Sequence, residues 1–188
     1  MINEVRLEFI LSSKHKLIPY TMKKLLLSCI LLFSMTISAQ QNNCACCTEN
    51  HQAFDFWVGT WNVTNTDGTP AGKNTITKIE GECVLRENWT SAKANYTGTS
   101  YNFYNLQKKQ WEQIWIDNQG GNLYLKGNRV GNQMILMSDE VRSPKGQKYV
   151  NRVTWTLNEN GSVRQHWETS SDQKTWTTVF DGLYVKEK

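Results

Sequence analysis

Nothing in this 188-residue chain constrains its fold as tightly as the spacing of its β-rich runs. From Trp57 onward, alternating runs rich in Val, Ile, Thr and aromatic residues are separated by turn residues, and no segment holds apolar residues at helical spacing for more than about two turns. Strands are predicted near 57–64, 74–79, 82–90, 98–104, 111–117, 122–127, 132–139, 147–157, 162–170 and 175–186. Asp67-Gly68, Gly120-Gly121, Gly127-Asn128, Gly131-Asn132 and Asn160-Gly161 supply the positive φ values that tight hairpins demand. Short links join only antiparallel neighbours. About ten strands joined by hairpins form a meander whose two outer edges stay unpaired unless the sheet closes on itself. The predicted class is therefore all-β, a single antiparallel up-and-down meander closed into a barrel, with a two-sheet sandwich left open by hairpin spacing alone. One helical turn is expected around Thr48–Ala53, with Thr48 as its N-cap.

The front of the chain reads differently. Lys23 and Lys24 precede an apolar run from Leu25 to Ile37, and Ser38-Ala39-Gln40 offers small residues for a signal peptidase. The run is shorter than the ~20 apolar residues a permanent membrane helix needs. Residues 1–39 are thus expected to be an upstream extension plus a secretory signal, with Met22 as the true start. A Cys-rich segment (40–53) and a barrel domain (54–188) would follow. Leu26-Leu27-Ser28-Cys29 has the form of a lipoprotein box, but its cysteine lies inside the apolar run, which favours soluble processing. The expected location is the periplasm or the extracellular space of a bacterial envelope.

Processing changes the charge. The whole chain carries +4. Arg6, Lys14, Lys16, Lys23 and Lys24 against Glu4 and Glu8 leave with the signal, so the remainder is near +1. Its one adjacent basic pair, Lys108-Lys109, sits in a predicted turn. Nucleic-acid binding needs clustered Lys and Arg and is not expected, nor is stable membrane association after signal removal.

Arg164, His166 and Glu168 share one face of their strand, and three charges in a row predict a solvated exterior. Gln165, Trp167 and Thr169 then point inward. Extended to neighbouring strands, the same orientation directs Cys83, Leu85, Glu87 and Trp89, then Ser100, Asn102 and Tyr104, then Trp111, Gln113, Trp115 and Asp117 into the lumen. Ile114 and Ile116 on the opposite face argue the other way.

Four cysteines remain after the signal: Cys44, Cys46, Cys47 and Cys83. In an oxidising compartment they predict a disulfide from Cys83 to one of Cys44, Cys46 or Cys47, fastening the N-terminal segment to the barrel. The alternative is a soft-metal site for zinc or copper formed by Cys44, Cys46, Cys47 and His51. Haem would require His166, the other remaining histidine, which the strand pattern places outside. No cofactor is the leading expectation. Glu87 and Asp117 are the carboxylates of the proposed inner face, and as a pair they suggest an acid and a base of glycosidase type. Otherwise each accepts hydrogen bonds from an indole, an amide or Arg152. Ser170–Trp176 looks like an aspartate-box turn in which Asp172 caps the backbone and Trp176 packs beneath.

All eight tryptophans lie beyond the signal, and most must be core. Phe54-Asp55-Phe56-Trp57-Val58-Gly59-Thr60-Trp61-Asn62-Val63 contains the glycine, any residue, tryptophan form that opens the first strand of lipocalin-like barrels. Together with Gly81–Trp89, Trp115-Ile116-Asp117-Asn118, Trp167-Glu168, Lys174-Thr175-Trp176 and Phe180–Tyr184, this run resembles a family of exported bacterial proteins that start Phe-Asp-Phe-Trp. The resemblance covers nearly all of 54–186 and implies a lipocalin-like, calycin-type barrel. Because the family's activity is unassigned, it implies no reaction, and Thr60 stands where relatives often carry an acidic residue. The functional expectation is a non-enzymatic binding protein whose polar-aromatic or carbohydrate-like ligand contacts Glu87, Trp89, Asn102, Gln113, Trp115, Asp117 and Trp167. An enzyme using Glu87 and Asp117, or a filled barrel serving stability or protein contacts, are the alternatives.

Overall fold

A computed structural model describes residues 44–93 and 95–187. The predicted extension and signal fall outside the described residues. Within the described residues the first elements are the helical turn α1 (Glu49–Gln52), whose Thr48 cap accepts from the His51 N–H, and a 3-10 turn over Asp55–Trp57. Eleven strands follow: β1 (Gly59–Asn65), β2 (Pro70–Ile79), β3 (Val84–Ser91), β4 (Thr97–Asn105), β5 (Gln110–Asp117), β6 (Asn122–Val130), β7 (Gln133–Met137), the two-residue β8 (Val141–Arg142), β9 (Lys148–Leu157), β10 (Val163–Ser170) and β11 (Thr177–Lys186). From β1 to β7 each pairs antiparallel with the next, β7 pairs with β9, and β9–β10, β10–β11 and β11–β1 complete the ring. The result is a closed up-and-down barrel of ten strands, with β8 a short flap on β9.

Closure settles the choice between barrel and sandwich, and it removes the edges that an open meander would expose. The turn glycines behave as expected: Gly68, Gly120, Gly131 and Gly161 all take positive φ. Gly127 does not. It lies inside β6, where a Cβ would come within 2.1 Å of the Ile135 carbonyl oxygen of β7, so this glycine permits close backbone approach and makes no turn.

The side-chain parity read from the charged row on β10 holds around the barrel. Ile114 is 40% and Ile116 49% exposed, whereas Trp111 and Gln113 on the same strand are buried. On this outer face Ile114 is the direct cross-strand partner of Tyr101 and Tyr124, and Ile116 that of Thr99 and Asn122. Arg164 pairs with Asp181, and Glu168 with Arg152, outside the lumen.

Strand direction divides the lumen into two ends. At one end lie the 79–84, 105–110, 130–133 and 157–163 connections and the N-terminal segment, which closes it. Phe54 stacks on Trp57 at 5.0 Å and meets Trp155 at 5.1 Å and Trp111 at 5.6 Å edge-on. Trp61 donates its indole N–H to the Trp57 carbonyl at 2.9 Å, while Lys186 lies over its outer face at 5.2 Å. A Cys46–Cys83 disulfide, the Lys78–Asp55 ion pair at 2.7 Å and the Trp111 indole donating to the Asn50 carbonyl at 2.9 Å hold this plug to the wall.

Candidate functional site

The opposite end of the lumen is open. A cavity of about 360 Å³ descends from the 65–70 and 91–97 turns toward the barrel's middle. Trp89 from β3, Trp115 from β5, Trp167 from β10 and Phe180 from β11 line its walls, and Glu87, Gln113, Gln165 and Tyr184 lie deeper. Tyr96 and Lys93 stand at the rim on the β3–β4 connection.

The aromatic walls stay back because glycines make room for them. A Cβ on Gly98 would lie 2.1 Å from the Trp115 ring, one on Gly72 2.7 Å from Trp89, and one on Gly182 2.5 Å from Phe180. Trp115 and Trp89 lie on glycines of a neighbouring strand, and Phe180 lies on the glycine two residues along its own, where any other residue would push the ring inward. Trp167 is held by donating its indole N–H to Asn151 Oδ1 at 2.9 Å. Space in the lumen is therefore a consequence of which residues face the indoles, since rings of this size fill a small barrel by default.

Below the rings runs a continuous polar network. Gln113 donates to Asn102 Oδ1 at 2.6 Å, Asn102 to Ser100 Oγ at 2.9 Å, and Ser100 to Glu87 Oε2 at 2.6 Å. From the other side Asn74 donates to Glu87 Oε1 at 2.6 Å and lies 3.5 Å from the Tyr184 hydroxyl, which donates to Gln165 Oε1. Every bond in the first series points its donor toward Glu87. Glu87 is only 4% exposed, and burial pushes its carboxyl up to about 7 even though the Ser100 and Asn74 donors pull the other way. Burial likewise raises the Tyr184 hydroxyl well above 10, with the nearby Glu87 adding to the effect.

Of the seven residues expected to contact a ligand, Glu87, Trp89, Gln113, Trp115 and Trp167 line the cavity. Asn102 and Asp117 do not. Asn102 points inward as parity requires, but it is fully buried beneath Gln113, to which it is hydrogen-bonded. Asp117 sits at the end of β5, where its Oδ1 accepts from the Gly121 N–H at 2.8 Å and the Gln119 N–H at 2.9 Å, and its Oδ2 from the Tyr96 hydroxyl at 3.2 Å. These bonds outweigh desolvation and hold its carboxyl below the usual range. Strand spacing of about 4.8 Å and a rise of about 3.4 Å per residue put the Glu87 and Asp117 Cα atoms roughly 12 Å apart. Only Glu87 faces the lumen, so the two carboxylates do not share a cleft there. Neither accepts from Arg152, whose guanidinium pairs with Glu168 and covers the Trp176 ring at 3.7 Å.

Tyr96, Tyr184, Gln165, Phe180 and Leu123 join the lining without having been among the expected contacts. The alternation Phe180, Gly182, Tyr184 in β11 carries that signal, since all three share a face with the core.

Cys44, Cys46, Cys47 and Cys83 are consumed by two disulfides, Cys46–Cys83 and Cys44–Cys47. Cys46 is thus the partner of Cys83. The soft-metal arrangement of Cys44, Cys46, Cys47 and His51 is not present: none of these sulfurs is left as a thiolate, and His51 Nδ1 faces Thr48 Oγ1 at 2.7 Å with its ring edge-on to Tyr104 at 5.3 Å. Cys44 and Cys47 gather near Glu82, but their sulfurs are bonded to each other. His166 lies outside the barrel, its Nε2 3.0 Å from Thr178 Oγ1, and offers no axial ligand to the lumen. Asp172 caps its turn as expected, accepting from Lys174 N–H at 2.8 Å and Thr175 N–H at 2.7 Å, which pulls its carboxyl down to about 2.

No protein-family model matches the chain, and no curated protein is similar enough to match it. What the fold itself establishes is a closed ten-strand antiparallel barrel, compatible with a lipocalin-like architecture.

Proposed function

We propose that this chain is an exported barrel that takes a small ligand, aromatic with a polar edge or carbohydrate-like, into its open end. The observation that carries the reading is the way Trp89, Trp115 and Phe180 lie back on Gly72, Gly98 and Gly182, leaving a lumen of about 360 Å³ above a polar floor. That volume falls within the range of small-molecule pockets, which are mostly apolar with a few placed polar groups. Five of the proposed contacts are Glu87, Trp89, Gln113, Trp115 and Trp167, to which Gln165 and Tyr184 add hydrogen-bonding groups. Asn102 supports Gln113 from below.

Export is part of the proposal. The signal-like segment over 1–39 supports it, as do two disulfides of the kind that persist in oxidising compartments. Among the described residues no helix is long and apolar enough to cross a membrane. In this reading 40–53 is a Cys-rich staple and 54–188 the binding domain.

Native mass spectrometry of protein recovered from the exporting cell tests the reading. The expected result is a non-covalent adduct of roughly a few hundred daltons, the size such a cavity encloses, lost in Leu123→Trp, which fills the lumen from β6. Bare polypeptide mass in wild type and variant alike would count against it.

A further inference from the structure

We infer that the cavity is built for a cationic ligand: an aromatic amine whose protonated nitrogen rests against Glu87 while its ring lies among Trp89, Trp115 and Trp167. This rests on the binding reading above and names the chemistry of its ligand.

Glu87 has no counter-charge. It is the one carboxylate in the cavity lining, and its oxygens accept only from the neutral Asn74 and Ser100. Among the described residues no Lys, Arg or His pairs with it; the ion pairs of this barrel lie on its outer face and at its ends. A buried carboxylate with no counter-ion is costly, and such groups are normally paired. Against that burial, Gln113, Asn102 and Ser100 form a series of donors that ends on the carboxylate and polarises toward it, so its ionised form is the one these partners support. Each carboxylate oxygen retains acceptor capacity beyond its one protein donor. A site that prepares a negative charge and supplies no positive one is complementary to a cation.

The walls agree. Indole faces attract an ammonium group through their quadrupole, most strongly where water is excluded. Three indoles and Phe180 surround the path to Glu87, so a cation would be stabilised on the way in as well as at the floor. An anion would meet the same faces and the same carboxylate with repulsion. A neutral aliphatic ligand would bury Glu87 further with no compensation.

The titratable groups facing Glu87 are few. Tyr184 comes from β11 and Tyr96 from the β3–β4 connection, while Asn74 from β2 and Ser100 from β4 are neutral. Lys93, the one cation of the lining, is exposed at the rim, where solvent and salt screen it. Because burial pushes Glu87 to about 7, amine binding expels its proton, and affinity rises with pH through that value.

Isothermal titration of tryptamine, its neutral isostere tryptophol and the anionic indole-3-acetate separates the outcomes. Wild type at about pH 8 is expected to bind tryptamine at least ~10-fold more tightly than tryptophol, with that preference lost in Glu87→Gln and reduced roughly 10-fold at about pH 6. Titration near pH 6.5 in buffers of different ionisation enthalpy should show proton release, a readout on wild type that stands even if the variant fails to fold. Equal affinities for tryptamine and tryptophol, or a preference that survives in Glu87→Gln, overturn the cation and leave the pocket standing. Absence of proton release, or failure of tryptamine to bind at all, also overturns it, and the native-mass experiment, which uses no added amine, then judges the pocket on its own.

Discussion

The two ends of this barrel are made from the same side chain and do opposite things with it. At the closed end Trp57, Trp61, Trp111 and Trp155 are buried against Phe54, Tyr184 or one another, and their contact is the core. At the open end Trp89 and Trp115 face glycine across the sheet, and the space this leaves is the cavity. What a tryptophan does in a small barrel is thus decided by its partner. Rings gathered into a sealed cluster fill the lumen, whereas rings lying back on glycine line it, even where Trp89 meets Phe180 edge-on at 6.2 Å.

The sharpest way to break this contrast is to truncate one ring at each end. Trp57→Ala should cost about 3–5 kcal/mol of unfolding free energy by leaving a cavity in the sealed plug, while Trp115→Ala, half-exposed in the open lumen, should cost about 1 kcal/mol. Chemical denaturation compares them directly, and equal losses would erase the distinction between the ends. The disulfides sharpen it further. Opening Cys46–Cys83, which spans 37 residues, should cost about 4 kcal/mol, and opening the three-residue Cys44–Cys47 loop about 1–2 kcal/mol, in paired serine variants.

The polar floor gives a pH signature that the plug lacks. Glu87 holds its proton to about 7 when folded but only to the ordinary 4.5 in an unstructured chain, so the folded state binds more protons between those values. Stability therefore declines by about 3 kcal/mol as pH rises from 4.5 to about 7, then levels off. Glu87→Gln should flatten this component and be the more stable protein at about pH 8; an unchanged pH profile would show that Glu87 titrates normally. A last test of the open end is Gly98→Ala. Its methyl meets the Trp115 ring at 2.1 Å and forces it into the lumen, for about 1–3 kcal/mol and a measurable loss of cavity in a crystal structure.

Much of this architecture could be read directly. Ten strands followed from period-two alternation and turn glycines, and the row Arg164, His166, Glu168 oriented the barrel correctly although Ile114 and Ile116 pointed the other way. Ile114 stands between Tyr101 and Tyr124 on the outer surface, a cross-strand row that no single strand's pattern reveals. Parity names the face of a strand, however, and says nothing of depth along the barrel axis. Asn102 and Asp117 share the right face and miss the cavity for that reason, one lying under the floor and the other tied into a turn. Asn74, the second donor to Glu87, looks like an ordinary polar strand residue until β2 and β3 are placed side by side. The choice of Cys46 for Cys83 is similarly spatial, since three cysteines within four residues differ only in where the backbone aims them.

The central claim is that the open half of the lumen is a binding cavity with Glu87 at its floor. A high-resolution crystal structure of the protein recovered from its native cell tests it most directly. Density for a small molecule against Trp89 and Trp115, with a polar atom within hydrogen-bond distance of Glu87, is the predicted result. Indoles turned inward to fill the lumen, with Glu87 sealed beneath them, would contradict it.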